Sequence, residues 1–203
     1  MNTNIPLLKP VDFDFREIFI VNLSNGIDEY FDVVMKKYPH AILDVFEHTL
    51  DKSDPRIELL SNEYFRLSQE YKYLNFIEEV FSLNDKKCYI DIVFEKNSCL
   101  SFKRELCKLD EIDKYILLHQ LISFSNANHK KNYLIDDVNL AKMFIRGMLR
   151  EYWQYSLYFD KNPLILFGNY DLSLPIVCKN ENDMKTYEKI ANKHGLYFRY
   201  IER

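Results

Sequence analysis

The fold of this chain is decided by residues 164–201, LILFGNYDLSLPIVCKNENDMKTYEKIANKHGLYFRYI. Two short apolar runs, Leu164–Phe167 and residues 172–178, are separated by GNYD, in which Gly and Asn tolerate the positive φ of a tight turn. This pattern predicts a β-hairpin. Pro175 has no N–H to donate to a β-ladder, so we expect its strand to lie at the edge of a sheet or to be bulged at that residue.

A helix and a closing strand are predicted after the hairpin. Asn180 or Asn182 can cap the helix, and apolar residues then recur at three- and four-residue spacing up to a stop at Gly195. Residues 196–201 alternate in the manner of a strand. Residues 153–159 alternate likewise, which predicts one more antiparallel strand before the hairpin. The C-terminal part is therefore predicted to run strand, strand, strand, helix, strand.

The first eighty residues have mostly the spacing of helices. Apolar residues follow the i, i+3, i+4 pattern over residues 27–38, and we expect residues 41–50 to continue as helix. Asp54-Pro55 provides a cap and a first-turn proline for a further helical region that extends to Leu83. This part of the chain is predicted to be a helical layer.

The spacing changes from helical to alternating at residues 88–95. Together with the next alternating run, this segment predicts a central β-hairpin whose register keeps the apolar faces together. That register sets Asp91 opposite Lys103 and Cys88 opposite Leu106. The predicted hairpin therefore does not align two cysteines for a disulfide.

Two further helices are predicted: one over residues 112–124, and one that Asp136 or Asp137 caps and that extends through Tyr152. The first has apolar residues on more than one side, so we expect it to be central and well covered. The whole pattern predicts one α+β domain over residues 1–203, with a helical N-terminal half, a central β-hairpin and a C-terminal, mostly antiparallel sheet with one late helix. The loop between the two helices marks a possible subdivision into residues 1–125, a helical lobe plus hairpin, and residues 132–203, a helix plus antiparallel sheet.

Charge and composition exclude several classes of function. The net charge is −4, from 31 acidic and 27 basic residues, so general binding to nucleic acid or to an anionic membrane is not expected. The sequence lacks a run long enough to span a membrane and begins without the pattern of a secretory signal. Its 4 cysteines are scattered and are expected to be reduced thiols. These features predict a cytoplasmic protein.

The sequence contains none of the common catalytic motifs. It has no glycine-rich phosphate loop, no H-E-x-x-H zinc motif, no G-x-S-x-G nucleophile motif and no kinase signature. Its 5 histidines are far apart, and none shows the i, i+4 spacing of a zinc-binding helix. We therefore expect no cofactor and no metal ion.

Asp91, Glu95 and Lys103 form the sharpest catalytic candidate, because the predicted hairpin places two carboxylates and a lysine on one face. This grouping resembles the acids and lysine of metal-dependent nucleases of the PD-(D/E)xK type. In that family the second acid and the lysine alternate on one strand as E-x-K, whereas here Glu95 and Lys96 are adjacent. A metal-dependent hydrolase or nuclease is thus the alternative function, and an exposed ion pair is the simpler interpretation.

The aromatic content is the remaining unusual feature. The chain has 15 Tyr and 15 Phe, most of which we expect in the core, although tyrosine also favours binding surfaces. A compact acidic chain without catalytic motifs is most simply a protein-binding module, and we expect a bacterial immunity or antitoxin-like inhibitor that occludes a basic toxin domain. Its oligomeric state is left open. The candidate binding residues are Tyr89, Asp91, Glu95, Tyr155 and Tyr197.

Overall fold

An antiparallel β-sheet runs through the molecule. The computed structural model describes residues 5–19, 27–92, 106–107, 109–124 and 132–200. The strands in these residues are β1 (Lys9–Pro10), β2 (His40–Asp44), β3 (Cys88–Asp91), β4 (Asn132–Ile135), β5 (Ser156–Phe159), β6 (Leu164–Phe167), β7 (Leu174–Cys178) and β8 (Tyr197–Arg199). They form one 8-stranded sheet in the order β1-β4-β3-β5-β6-β7-β2-β8, and each neighbouring pair is antiparallel. The chain is therefore a mixed helix and sheet protein, as the sequence predicts.

Helices cover both faces of this sheet. They are a 3-10 helix (Phe15–Phe19), α1 (Ile27–Lys37), α2 (Ile57–Ser61), α3 (Glu63–Leu83), α4 (Glu111–Phe124), α5 (Val138–Leu149) and α6 (Glu181–Lys193). On face A, which includes Ile90, Leu157 and Leu166, helices α3, α4, α5 and α6 bury their apolar side chains in one core. On face B, which includes Tyr89 and Tyr158, the 3-10 helix and α1 build a second and smaller core.

Side-chain caps fix the start of three of these helices. Asn180 Oδ1 accepts a hydrogen bond from the Asp183 N–H at 2.9 Å, and Asp137 Oδ1 accepts one from the Asn139 N–H at 2.7 Å. Asn62 caps α3 in the same way. The cap of α6 is therefore Asn180, the first of the two predicted candidates. Gly195 follows α6 with a φ of 71°, the left-handed conformation that glycine adopts most easily.

The strand β2 corrects the prediction of helix for residues 41–50. Leu43 pairs with Leu174 of β7 on one side and with Phe198 of β8 on the other, so β2 lies inside the sheet. In its sequence, HAILD, residues 41–43 are all apolar, and so short an apolar run does not distinguish a strand from a helix. The N-terminal half is therefore not wholly helical.

Pro175 lies in a central strand, and the prediction of an edge strand is wrong. The Cys178 N–H donates to the Pro39 carbonyl at 2.9 Å, on the β2 side of β7. Because N–H directions alternate along a strand, the nitrogen of Pro175 points to the opposite side, toward β6. The paired ladder with β6 ends at Leu166 and Ile176, so it stops one residue short of Pro175. The missing N–H therefore falls beyond the end of that ladder.

The predicted hairpin at β3 is also wrong where the structure describes it. Both edges of β3 are occupied, one by β4 and the other by β5. Cys88 pairs with Ile135 and not with Leu106, and Asp91 pairs with Asn132. The remainder of the predicted hairpin, residues 93–105, lies outside the described residues. The strands that precede residue 125 in the sequence, β1, β2 and β3, therefore lie next to strands that follow residue 131, and both parts of the chain share one sheet.

Candidate functional site

Three helices of face A form a groove. Glu70 and Glu78 of α3 pair with Arg150 and Lys142, so α3 runs antiparallel to α5. Asp110 and Asp113 at the start of α4 pair with Arg150 and Arg146, so α4 runs antiparallel to α5 as well. Helix α5 therefore lies between α3 and α4, which run parallel to each other.

The floor of the groove is a row of ion pairs on α5. Lys142 Nζ lies 2.5 Å from Glu78 Oε2, and Arg146 Nε donates to Asp113 Oδ2 at 2.5 Å. The C-cap residue Arg150 donates to Glu70 at 2.6 and 2.9 Å. These cations recur at four-residue spacing, so they share one side of α5. Each is paired with a carboxylate of a neighbouring helix, which ties the three helices together.

The outer side of α4 exposes apolar side chains. Ile112, Tyr115 and Ile122 are between 66% and 74% exposed, and Leu118 is exposed too. Only the inner side of α4, with Ile116 and Leu117, is buried in the core of face A. The prediction that this helix is central and well covered is therefore wrong, since its second apolar side faces solvent.

A second exposed apolar stripe lies on α3, and it approaches the α4 stripe at Tyr71 and Ile112. Tyr64, Leu67 and Tyr71 recur at three- and four-residue spacing, and all of them are exposed. Tyr71 and Leu74 of α3 and Ile112 of α4 line the groove, whose volume is about 370 Å³. We call these two stripes and the ion-paired floor between them the α3–α4 groove.

Carboxylates dominate the charge that the α3–α4 groove presents to solvent. In the pair of Lys142 with Glu78, the lysine side chain is 20% exposed and the glutamate 57%. In the pair of Arg150 with Asp110, the arginine is 13% exposed and the aspartate 60%. In these two pairs the acid is the more exposed partner, whereas Asp113 and Glu70 are as covered as the arginines that they bind. The groove offers apolar walls and negative charge near both ends of its floor.

Asp91, a predicted site residue, lies on face B. Its strand register places it beside Asn132 of β4, and the register that pairs Ile90 with Leu157 brings Ser156 of β5 to its other side. Three polar residues therefore stand in a row across three strands, within an otherwise aromatic layer. The 3-10 helix covers this layer, with Phe15 stacked 5.6 Å from Tyr89.

Burial raises the pKa of Asp91 to about 6, and a hydrogen bond to its own backbone and then the charge of Arg16 only partly offset this effect. Arg16 is itself engaged by Asp14, to which its Nε donates at 2.7 Å. Burial also raises the pKa values of Tyr30 and Tyr158, and the charge of Asp91 adds to both shifts. A carboxyl group with this pKa can exchange a proton near neutral pH.

The structure does not bring the predicted binding residues together. The buried Tyr89 donates its hydroxyl proton to Asp160 Oδ2 at 3.1 Å. Tyr155 lies at the rim of the face A core, 6.0 Å from the ring of Trp153. Tyr197 is on β8, five strand spacings from β3, which is roughly 24 Å. Glu95 and Lys103 lie outside the described residues.

The sequence of α4 contains one feature that is compatible with an exposed wall of the α3–α4 groove, namely apolar residues on two sides of the helix. A helix with apolar residues on two sides is typical either of a covered helix or of one that offers a second apolar side to a partner. The first interpretation predicted a covered helix, whereas the second apolar side of α4 is exposed. The exposed tyrosines of α3 carried no such signal, because the pattern of α3 does not distinguish them from its buried tyrosine, Tyr73.

Comparison of the chain with protein-family models, with curated proteins and with solved structures gives no match. Within the described parts of the chain, no cluster of three or more His, Cys, Asp or Glu side chains could hold a metal ion. The helices of those parts also include none with the length and apolar character of a membrane span.

Proposed function

We propose that this chain is a protein-binding module that occludes a basic partner through the α3–α4 groove, in the manner of an immunity protein or antitoxin-like inhibitor. The observation that carries the proposal is the exposed apolar side of α4, formed by Ile112, Tyr115 and Ile122. Neighbouring apolar side chains left in water cost free energy, and contiguous exposed patches of this kind mark interaction surfaces.

Two further features support this proposal. Tyrosine is enriched among the residues that dominate binding energy, and three tyrosines are exposed on the helices that form the groove: Tyr64, Tyr71 and Tyr115. The accessible carboxylates of Glu78 and Asp110 favour a positively charged partner, because complementary charge accelerates association and disfavours wrong partners.

Capture of the partner followed by affinity measurement tests the proposal. The tagged full chain is used to isolate a partner from the native host, and the Kd of that partner is then measured for the parent, for Tyr115→Ser and for Tyr170→Ser. Tyr170 is also exposed but lies between β6 and β7, so it serves as the matched control. We expect at least a tenfold loss of affinity for Tyr115→Ser alone, which is about 1.4 kcal/mol. Retention of no partner, or equal affinity for all three proteins, contradicts the proposal.

Hydrolysis or nuclease activity through Asp91 is the second candidate function. The raised pKa of Asp91, beside Asn132 and Ser156, favours it because such a carboxyl group can act as a general acid or base. The test is an assay for divalent-metal-dependent hydrolysis of nucleic acid and of phosphoesters by the parent and by Asp91→Ala. Absence of activity, or its survival in Asp91→Ala, refutes this candidate.

A further inference from the structure

We infer that one arginine side chain of the basic partner binds in the α3–α4 groove between Tyr71 and Ile112, where its guanidinium contacts Asp110. We call this part of the groove, which Tyr71, Asp110 and Ile112 line, the Asp110 pocket. The inference rests on the proposed function, which it sharpens by naming the chemical group of the partner that enters at this point.

The ion pairs of the groove leave one carboxylate in excess. Four carboxylates and three cations take part in these pairs, so one negative charge has no cation of its own among the described residues. Three acids each bind one cation closely: Glu70 binds Arg150, Glu78 binds Lys142 and Asp113 binds Arg146. The fourth acid, Asp110, shares Arg150 with Glu70. Arg150 lies 3.3 Å from Asp110 Oδ2, whereas it donates to Glu70 at 2.6 and 2.9 Å. Asp110 is therefore the acid whose charge a cation of a partner can compensate.

The contribution of Asp110 to helix α4 does not require its charge. The Asp110 carbonyl accepts a hydrogen bond from the Lys114 N–H at 2.9 Å, so Asp110 is the residue at which this helix starts. Asn serves about as well as Asp at such a position. The Asp110 side chain is also 60% exposed, so its charge is accessible to a partner. The substitution Asp110→Asn therefore removes the charge and keeps a residue that suits the start of the helix.

The size of the groove suits a single side chain. Its volume of about 370 Å³ is close to the lower end of the range of ligand pockets, which is about 300–1,000 Å³. The two exposed apolar stripes approach each other at Tyr71 and Ile112. An occupant that enters at this point contacts both walls without following either stripe along its helix.

The chemistry of the Asp110 pocket suits arginine better than lysine. Tyr71 is 58% exposed and Ile112 is 70% exposed, so an aromatic ring and an aliphatic side chain are available on the two walls. A guanidinium is planar, stacks on an aromatic ring and donates two parallel hydrogen bonds to one carboxylate, whereas the ammonium group of lysine lacks this planar fork. Lys142 and Arg146 also line the groove, but each is bonded to its own acid. The excess charge at this point is therefore negative.

An NMR titration of the isotope-labelled full chain tests this inference. The probes are the N-acetyl amides of arginine, citrulline, lysine and glutamate, and citrulline has the shape of arginine without its charge. We expect the arginine probe to cause saturable shifts in the backbone amide signals of Tyr71, Asp110 and Ile112, and to bind about threefold to tenfold more tightly than the citrulline probe. Asp110→Asn should weaken binding of the arginine probe by a similar factor. Asp85→Asn should leave it unchanged, because Asp85 is 56% exposed but pairs with Lys161 outside the groove.

Several results overturn the inference. They are the absence of saturable shifts with the arginine probe, equal binding of the citrulline probe, tighter binding of the lysine probe, and an affinity for arginine that Asp110→Asn leaves unchanged. Tighter binding of the glutamate probe also overturns it, and assigns the pocket to an anion that contacts Lys142 or Arg146.

The native partner separates this inference from the proposed function, because Tyr115 does not line the Asp110 pocket. If that partner loses affinity for Tyr115→Ser but not for Asp110→Asn, the proposed function stands and the inference fails. If the partner binds Tyr115→Ser as tightly as the parent, the proposed function fails, and a successful titration leaves recognition of arginine as a property of the pocket alone.

Discussion

Two aspartates on opposite faces of the sheet differ in how their charge is compensated. Asp113 of α4, on face A, is completely buried and accepts hydrogen bonds from both Nε and Nη2 of Arg146. The charge of Arg16 lowers the pKa of Asp91 of β3, on face B, but the guanidinium of Arg16 donates its hydrogen bonds to Asp14. The same side-chain type therefore stabilises the fold at one place and costs stability at the other.

Of these two acids, Asp113 is the one that the fold requires. A buried carboxylate with a bidentate arginine is held by geometry, and removal of one partner leaves the other charge uncompensated. A carboxyl group whose pKa is raised by burial stores a cost that a neutral residue of the same shape would remove. A costly residue of this kind is typical of a functional position.

Loss of Asp113 should have the largest effect. Asp113→Ala leaves Arg146 on the groove floor without its carboxylate, and we expect a loss of about 3–5 kcal/mol in the free energy of unfolding. Urea denaturation at pH 7 measures this change. Glu111→Ala is the control, because Glu111 is 79% exposed and its pair with Lys114 should contribute less than about 1 kcal/mol. Equal losses for both variants would refute the distinction.

Replacement of Asp91 should have the opposite sign. The folded-state pKa of Asp91, about 6, lies above the ordinary value of 3.8, so ionisation is costlier in the folded chain than in the unfolded one. The neutral form of Asp91 contributes its full stability below about pH 4. This contribution falls between about pH 4 and 6, as the group ionises more readily in the unfolded chain, and it is absent above that window. Asp91→Asn should therefore stabilise the protein by up to about 3 kcal/mol at pH 8. Thermal unfolding from pH 4 to 8 checks this, and a destabilised variant at pH 8 would contradict it.

Arg16 should tune the pKa of Asp91. Because the guanidinium charge lowers that pKa, Arg16→Gln should raise it further, and a carboxyl-carbon NMR titration reads the change. Arg56→Gln is a close control, since Arg56 pairs with Asp54 two residues earlier in the same manner as Arg16 with Asp14. An Asp91 pKa that is unchanged by Arg16→Gln would show that the cation exerts no effect there.

The outer side of α4 should contribute least to stability. Tyr115→Ser should change the free energy of unfolding by less than about 0.5 kcal/mol, because the side chain is 66% exposed. Leu117→Ala, on the buried side of the same helix, should cost about 2–5 kcal/mol. Chemical denaturation of both variants makes the comparison. A large loss for Tyr115→Ser would assign its stripe to the fold and not to a partner.

Local signals in the sequence predicted the C-terminal elements well. The cap at Asn180, the stop at Gly195 and the strands β5, β6 and β7 all lie close to their predicted positions, because turn and cap chemistry acts within a few residues. The strand β2 was missed, since its assignment depends on partners more than a hundred residues away. A run of three apolar residues leaves no periodic trace of such long-range pairing.

The candidate site was less predictable than the fold. Alternation correctly separated Asp91 from Ile90, but it could not show that residues 11–19 cover the side of Asp91. The exposed side of α4 was mistaken for core because apolar composition alone does not distinguish a covered helix from one that binds a partner. Which surface stays uncovered is a property of the whole packing and not of any single segment.

The position of β2 between β7 and β8 has a consequence for synthesis of the chain. β2 ends at Asp44 and β7 begins at Leu174, so neither hydrogen-bonding neighbour of β2 exists until about 130 further residues are made. At about 5–20 residues per second, the ribosome needs roughly 7–26 seconds for that length. During this interval residues 40–44 lack both of their strand partners, and unpaired strand edges make incompletely folded chains prone to aggregation.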